Sequence, residues 1–147
     1  VLSNPISRTV ISASSDRTVL LWSTAEDRAP VRIGHHTDYV RCLAYSPHAG
    51  WVASGGLDRR ILLWDLGEGK GEAEPTASVY ALACNPAGNI IVSGSPDKAV
   101  RIWDPRSGGR RAIGLAGHTD NIRSVLVSDD GKWVISASSD TTIKLWS

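Results

Sequence analysis

The sequence predicts an all-β protein in which one small sheet is repeated along the chain. Trp22, Trp64, Trp103 and Trp146 recur at spacings of 42, 39 and 43 residues. Six residues before each tryptophan stands an aspartate (Asp16, Asp58, Asp97, Asp140), and ten before it a serine (Ser12, Ser54, Ser93, Ser136). Between these markers lie short apolar, β-branched runs separated by Gly, Pro and Asp, with no 3.6-residue period of helical length. A period near 40 residues is that of a four-stranded sheet repeated around an axis.

The elements follow in order. Seventeen residues before each tryptophan come Pro5, Pro47, Pro86 and Asp129, where a turn closes a first strand. The stretch 5–23 supplies the second and third strands of a first unit, and "APVRIG" (29–34) its short, more polar fourth. In the next unit "VRCLAYS" (40–46) is a first strand, "PHAG" (47–50) a turn and "WVASGG" (51–56) a second strand. "LDRR" (57–60) makes a tight turn into "ILLWD" (61–65), the third strand. The connector 66–77, "LGEGKGEAEPTA", is rich in Gly and Glu and lacks an apolar fourth strand. It is expected either to leave that unit with a frayed outer strand or to stand where a longer loop belongs. "AIGLAG" (112–117) is a fourth strand ahead of the last unit, which closes on "SSDTTIKLWS" (138–147). The repeat units are therefore placed at about 1–23, 24–65, 66–104 and 105–147 of one domain.

Composition narrows the function. Lys and Arg number 16 against 15 Asp and Glu, so no long-range field attracts nucleic acid or a membrane surface. No apolar run is long enough to span a bilayer, and no signal-peptide pattern opens the sequence. Cys42 and Cys84 sit in apolar strand segments and read as reduced, buried thiols, which places the protein inside the cell, in cytoplasm, nucleus or both. The chain opens on Val, contains no Met and ends within a strand. It is therefore expected to be part of something longer, or to assemble with another copy, because an open arc would leave sheet edges unpaired.

A further polar residue joins two of the units. His36 and His118 each lie 28 residues before a tryptophan, and each is followed by Thr-Asp. The third unit has Pro75 where its histidine would stand, so Ser93, Asp97 and Trp103 are left to form a weaker set. Ser, His and Asp at fixed offsets invite a catalytic triad. Multiplicity argues against it: a triad is built once, whereas this serine and aspartate recur in every unit, as a structural network does. Buried hydroxyl, imidazole and indole N–H groups need partners, and bonding to one another supplies them. The expected networks are His36–Ser54–Asp58–Trp64 and His118–Ser136–Asp140–Trp146, with the partial sets Ser93–Asp97–Trp103 and Ser12–Asp16–Trp22.

The combination of Gly34/His36 (with His35 inserted) and Gly117/His118 with Trp64-Asp65 and Trp103-Asp104 resembles the WD40-repeat β-propellers over essentially the whole sequence. That resemblance implies a WD40 β-propeller, here a partial arc of about three and a half four-stranded blades. It also implies the four-residue hydrogen-bonded network, and repeat units offset from the blades. "GLDRRILLWD", "VSGSPDKAVRIWDPRSG" and "GHTDNI" are more particular, and are similar to the amino-terminal propeller of the WD-repeat activators of ubiquitin-specific proteases. Such relatives carry a longer loop at 66–77.

Three function classes are open to such a sequence. A non-catalytic scaffold for protein partners would use the rim formed by Tyr39, Arg41, Ser78, Tyr80, Asn121 and Arg123 beside the GH turns, with Arg17, Arg59 and Lys98 beside the turn aspartates. Tyr and Arg are the residue types that carry interface energy. On the closer resemblance the partner would be a ubiquitin-specific protease under allosteric activation; otherwise the domain is the adaptor of another complex. An enzyme is not supported: "GEGKGE" (67–72) lacks the GK[ST] of a phosphate loop, and the cysteines lack metal-ligand spacing, so no catalytic, cofactor or metal residue is assigned. A nucleic-acid-associated scaffold would rest on the basic turn "DPRSGGRR" (104–111) touching phosphates.

Overall fold

Fifteen short strands make four antiparallel sheets, or blades, in a computed structural model that describes residues 1–4, 8–65, 70–73, 77–107 and 112–147. The first blade contains β1 (Leu2–Asn4), β2 (Thr9–Ala13), β3 (Thr18–Ser23) and β4 (Val31–His35). The second contains β5 (Val40–Ser46), β6 (Trp51–Gly56), β7 (Ile61–Asp65) and β8 (Lys70–Ala73). The third is β9 (Ala81–Cys84), β10 (Ile91–Gly94), β11 (Val100–Trp103) and β12 (Ala112–Leu115), and the fourth is β13 (Ile122–Val127), β14 (Val134–Ser138) and β15 (Ile143–Trp146). Neighbours in sequence are neighbours in each sheet, and the fourth blade does not return to the first. The result is an open arc of a WD40-type propeller. Among the described residues no helix is long and apolar enough to cross a membrane.

Two strands go beyond what residue pattern assigned. The first unit gains a three-residue first strand, β1, paired to β2 from Leu2↔Ile11 to Asn4↔Thr9. Within the 66–77 connector, β8 pairs with β7 from Trp64↔Lys70 to Ile61↔Ala73. An outermost strand needs backbone partners on one side only, so "KGEA" can complete a sheet without an apolar face. Pro5, Pro75, Arg110 and Arg111 lie outside the described residues.

The blades are held together by side chains that alternate across each strand. One face of the first blade (Ile11, Val19) meets Val40 and Val52 of the second. The opposite face of the second (Ala44, Ala53, Ile61) meets Val79, Leu82, Ile91 and Trp103 of the third. The third (Val92, Val100) meets Ile122, Val125 and Val134 of the fourth. Val19, Val52, Ile61, Val92, Val100 and Ile122 are all fully buried, and each such side chain is worth about 1.5–3 kcal/mol. The second strands of the two middle blades, β6 and β10, are buried on both faces, which is why "WVASGG" reads as nearly continuous apolar and small residues.

Backbone bonds repeat the same step. The N–H groups of Val40, Val79 and Ile122, which open the inner segments, donate to the carbonyls of Ser14, Gly56 and Ser95 in the preceding blade at 3.2, 3.0 and 3.1 Å. Those carbonyls also close the hairpin turns, accepting from Arg17, Arg59 and Lys98. Each turn thus serves its own blade and the next one.

Close approach between blades fixes small residues. A Cβ on Gly94 would lie within 3.0 Å of the Ile122 side chain, whereas one on Gly114 meets nothing within 4 Å. We expect Gly94→Ala to cost about 1–3 kcal/mol through overpacking, read as a lower urea midpoint, with Gly114→Ala close to the parent protein.

Candidate functional site

The polar residues at the repeat offsets converge behind the turns. In the second blade, Ser54 projects from the middle of β6 between Trp64 of β7 and His36 of the turn entering β5. The Trp64 Nε1–H donates to Ser54 Oγ at 2.8 Å. Ser54 Oγ lies 2.7 Å from His36 Nε2, and His36 Nδ1 lies 2.9 Å from Asp58 Oδ2. The partners dictate the tautomer: a carboxylate only accepts, so Nδ1 carries the proton, and Nε2 accepts from the serine O–H. Asp58 also accepts the backbone N–H groups of Thr37 and Arg60, at 3.0 and 3.1 Å, which clamps the hairpin turn to the GH turn.

The fourth blade repeats this arrangement. Trp146 Nε1 donates to Ser136 Oγ at 2.9 Å, Ser136 Oγ lies 2.8 Å from His118 Nε2, and His118 Nδ1 lies 2.8 Å from Asp140 Oδ2. Burial alone would push the Asp140 carboxyl up. It is outweighed by hydrogen bonds from the Thr142 hydroxyl, the Thr119 N–H, His118 and the Thr142 N–H, which hold the group well below the usual carboxylate range. Gly117 sits under the Trp146 indole and Gly34 under that of Trp64, where a Cβ would strike the ring.

The other two blades keep only part of the set. Trp103 donates to Ser93 and Trp22 to Ser12, both at 2.8 Å. Asp97 turns to the Arg101 guanidinium instead, with contacts of 2.6 and 3.1 Å, and Asp16 caps Thr18 through its N–H and hydroxyl. Among the described residues no buried side-chain nitrogen or oxygen lacks a partner.

The Ser–His–Asp distances alone match those of a hydrolase triad. The surroundings do not. Ser54 and Ser136 are 0% exposed, and each hydroxyl already accepts an indole N–H. No substrate carbonyl can reach them. The thiols are equally quiet: burial pushes Cys42 up to about 12 and Cys84 up to about 11, so neither is a thiolate near neutral pH. Among the described residues no group of His, Cys, Asp and Glu could hold a metal ion.

The expected rim residues occupy three equivalent positions on successive blades. Tyr39, Ser78 and Asn121 stand 25 residues before the tryptophans; Arg41, Tyr80 and Arg123 stand 23 before; Arg17, Arg59 and Lys98 stand five before. Register shifts between Val40 and Cys42 and between Ile122 and Ser124 make Arg41 and Arg123 the extra residues of β-bulges. Bulges re-aim side chains. The Arg41 guanidinium lies 5.5 Å from the Tyr80 ring centroid, joining the second and third blades across the rim. Arg123 Nε donates to Ser139 Oγ at 2.7 Å, and Ser78 Oγ to the Leu57 carbonyl at 3.3 Å.

Residue pattern gave no sign of one property of this rim. Arg17, Arg59 and Lys98 have φ of 74°, 64° and 70°, and Thr141, their counterpart in the fourth blade, 68°. This is the left-handed position of a type I turn with a bulge, which glycine occupies without strain. The sequence conceals it because no Gly, the residue that marks a left-handed turn position, stands at any of these four places.

The basic turn is less available than its composition suggests. Arg106 is paired to Asp104 at 3.1 Å beside a single 3-10 turn, Pro105–Ser107, and Arg110 and Arg111 fall outside the described residues.

Comparison with known proteins agrees with this geometry. The family model described as "WD domain, G-beta repeat" (WD40) matches residues 28–65, 70–104 and 109–147. The chain belongs to the WD40 family. Domains of this kind are non-catalytic scaffolds for protein–protein interaction. The sequence is 42% identical over 67 residues to the small ribosomal subunit protein RACK1y of rice, Oryza sativa subsp. japonica. The match takes in 46% of this chain and spans 20% of that protein's length.

Two outcomes follow for the WD40 networks. Ser54→Ala strands both His36 and Trp64, whereas Ser93→Ala strands Trp103 alone. We expect Ser54→Ala to cost about 2–5 kcal/mol and Ser93→Ala about 1–3 kcal/mol, read by chemical denaturation. Because Asp140 is depressed in the folded state, its contribution is complete above the ordinary value of 3.8 and is lost as pH falls below it. Asp140→Asn should therefore be less stable than the parent at neutral pH, with the gap narrowing on acidification below that value.

Proposed function

We propose that this chain binds a protein partner through the turn rim, with Tyr39, Arg41, Tyr80 and Arg123 as central contacts and Arg17, Arg59 and Lys98 as cationic flanks. The observation that carries this reading is the retention of long cationic side chains at left-handed turn positions. A non-Gly residue there costs about 1–2 kcal/mol, and strain of this kind collects at functional sites. The bulged placement of Arg41 and Arg123 supports the same reading. The partner is a ubiquitin-specific protease, for which the support is the likeness of "GLDRRILLWD", "VSGSPDKAVRIWDPRSG" and "GHTDNI" to activators of those enzymes. The propeller contributes no catalytic residue. It stimulates by contacting the active state of the protease better than the inactive one. An adaptor of another assembly is the second reading, and the alignment with a rice protein named for the small ribosomal subunit supports it. It keeps the rim and changes the partner.

Deubiquitinase turnover separates these readings. With the parent chain we expect stimulation, and with alanine at Tyr39, Arg41, Asn121 and Arg123 a loss of at least about tenfold, as for hot-spot truncation. Equal stimulation by both would clear this rim of the role, and none by either would favour another partner. Glycine at Arg17, Arg59 and Lys98 together should leave the fold as stable as the parent or more so, since the turn strain is removed. The same triple variant should bind the partner more weakly, so stability and binding move in opposite directions.

A further inference from the structure

The cations of the turn rim have no carboxylate of their own. Elsewhere, Arg28, Arg101, Arg106 and Lys132 pair with Glu26, Asp97, Asp104 and Asp130. Among the described residues, none of Arg17, Arg41, Arg59, Lys98 and Arg123 forms an ion pair, and all five are exposed. Arg41 lies over the Tyr80 ring and Arg123 donates to Ser139 Oγ, contacts that leave both charges uncompensated.

Carboxylates stand on the same rim, but they are engaged by the turns themselves. Asp16 accepts the Thr18 N–H and hydroxyl at 2.9 and 2.6 Å. Asp38 accepts the Tyr39 N–H and Asp120 the Asn121 N–H, both at 2.7 Å. Asp58 and Asp140 lie beneath, with side chains 1% and 6% exposed, bonded to His36 and His118. Packing then gathers the cations at the seams. The His36 N–H donates to the Arg17 carbonyl at 2.9 Å and the Ile122 N–H to the Ser95 carbonyl at 3.1 Å. The turn carrying Arg17 therefore abuts the segment carrying Arg41, and the turn carrying Lys98 abuts that carrying Arg123. Between them, the Val79 N–H meets the Gly56 carbonyl at 3.0 Å, which sets the turn of Arg59 against the segment of Tyr80. Like charges brought to one seam with no counter-charge favour an anion from outside.

We infer that the rim receives an extended acidic segment of its protein partner, which rests on the reading of this rim as the docking surface. Spaced Asp or Glu side chains of that segment meet the cations seam by seam. Opposite charge across an interface speeds encounter and fixes register, and an arginine fork holds a carboxylate with two parallel bonds. A nucleic-acid backbone fits less well. Asp16, Asp38 and Asp120 stand exposed among the cations and would face its unbroken charge, whereas carboxylates on a peptide can be spaced to meet the cations alone. The net charge of +1 supplies no long-range field for phosphates either.

Fluorescence anisotropy of the 147-residue chain with labelled peptides tests this. The probes are peptides of about twelve residues, alike except for Glu, Gln or Lys at every second position. The Glu peptide should bind at least about tenfold more tightly than the Gln peptide, and the Lys peptide should not bind. Binding should weaken as salt rises from about 0.05 to 0.5 M, because the screening length shortens. Arg17→Gln, Arg59→Gln and Lys98→Gln together remove the charge and keep a non-Gly residue at each left-handed position, so the urea midpoint should not move. That variant should bind the Glu peptide about tenfold more weakly, the combined effect of three exposed pairs. Arg28→Gln, a cation off the rim, should change nothing. Equal binding of the Glu and Gln peptides, or a triple variant that binds like the parent, would overturn the acidic assignment. So would a single-stranded DNA of about twenty nucleotides that binds more tightly than the Glu peptide and is weakened by the same triple variant. Deubiquitinase stimulation separates this from the docking surface itself. If alanine at Tyr39, Arg41, Asn121 and Arg123 abolishes stimulation while the glutamine variant stimulates fully, the rim still docks the partner and the acidic assignment falls. Rim-dependent binding of the Glu peptide without stimulation upholds the acidic assignment and removes the protease.

Discussion

A serine hydroxyl in the second strand of every blade receives the indole N–H of a tryptophan in the third, at 2.8 to 2.9 Å in all four blades. This bond links the two strands side chain to side chain, and in the second, third and fourth blades the indole lies at the seam with the preceding blade. The seam is where the burial lies, because each blade is too thin to have a core of its own. The apolar residues of the protein are shared pairwise between blades. A buried hydroxyl has one proton and two lone pairs, so it can serve the indole and still donate to an imidazole. Where histidine is present the network extends to the turn aspartate and ties three segments together. Where it is absent, Asp97 finds Arg101 and the tie stays within a single hairpin.

That division of labour explains why the rim can vary. The aspartate clamps the backbone of both turns from below, so the long side chains above them are not needed to hold the turns and can serve recognition. Arg41 and Arg123 are turned outward by bulges, and Arg17, Arg59 and Lys98 by left-handed turn residues. The backbone that presents them is held by bonds these side chains do not make. A scaffold of this kind can change its partner without altering its fold, which is why family membership specifies an interaction domain and leaves the partner to the rim.

Much of this was legible because the chain repeats itself. Four tryptophans with a serine and an aspartate at constant offsets define strand, turn and partner with no reference to tertiary contacts. The strands Val40–Ser46, Trp51–Gly56 and Ile61–Asp65 have the limits that their apolar runs suggest. Outer strands were the least legible. Lys70–Ala73 forms one without an apolar side, because an outermost strand is recruited by its neighbour's free backbone groups rather than by its own side chains. The three residues of Leu2–Asn4 were too few to show a pattern.

The sequence by itself determined the repeat, the all-β class, the Ser–Trp pairing and the partners of the two histidines. Each of these follows from local spacing or from the need of a buried polar group for a partner. Only the tertiary structure decided that the serine of a triad-like set is sealed from solvent, that Arg41 stacks on Tyr80 of the next blade, and that Ile135 and Ile143 face outward while their counterparts are buried. These depend on what the neighbouring blade places opposite a residue. Spacing along one chain records which way a side chain points, but not what meets it there.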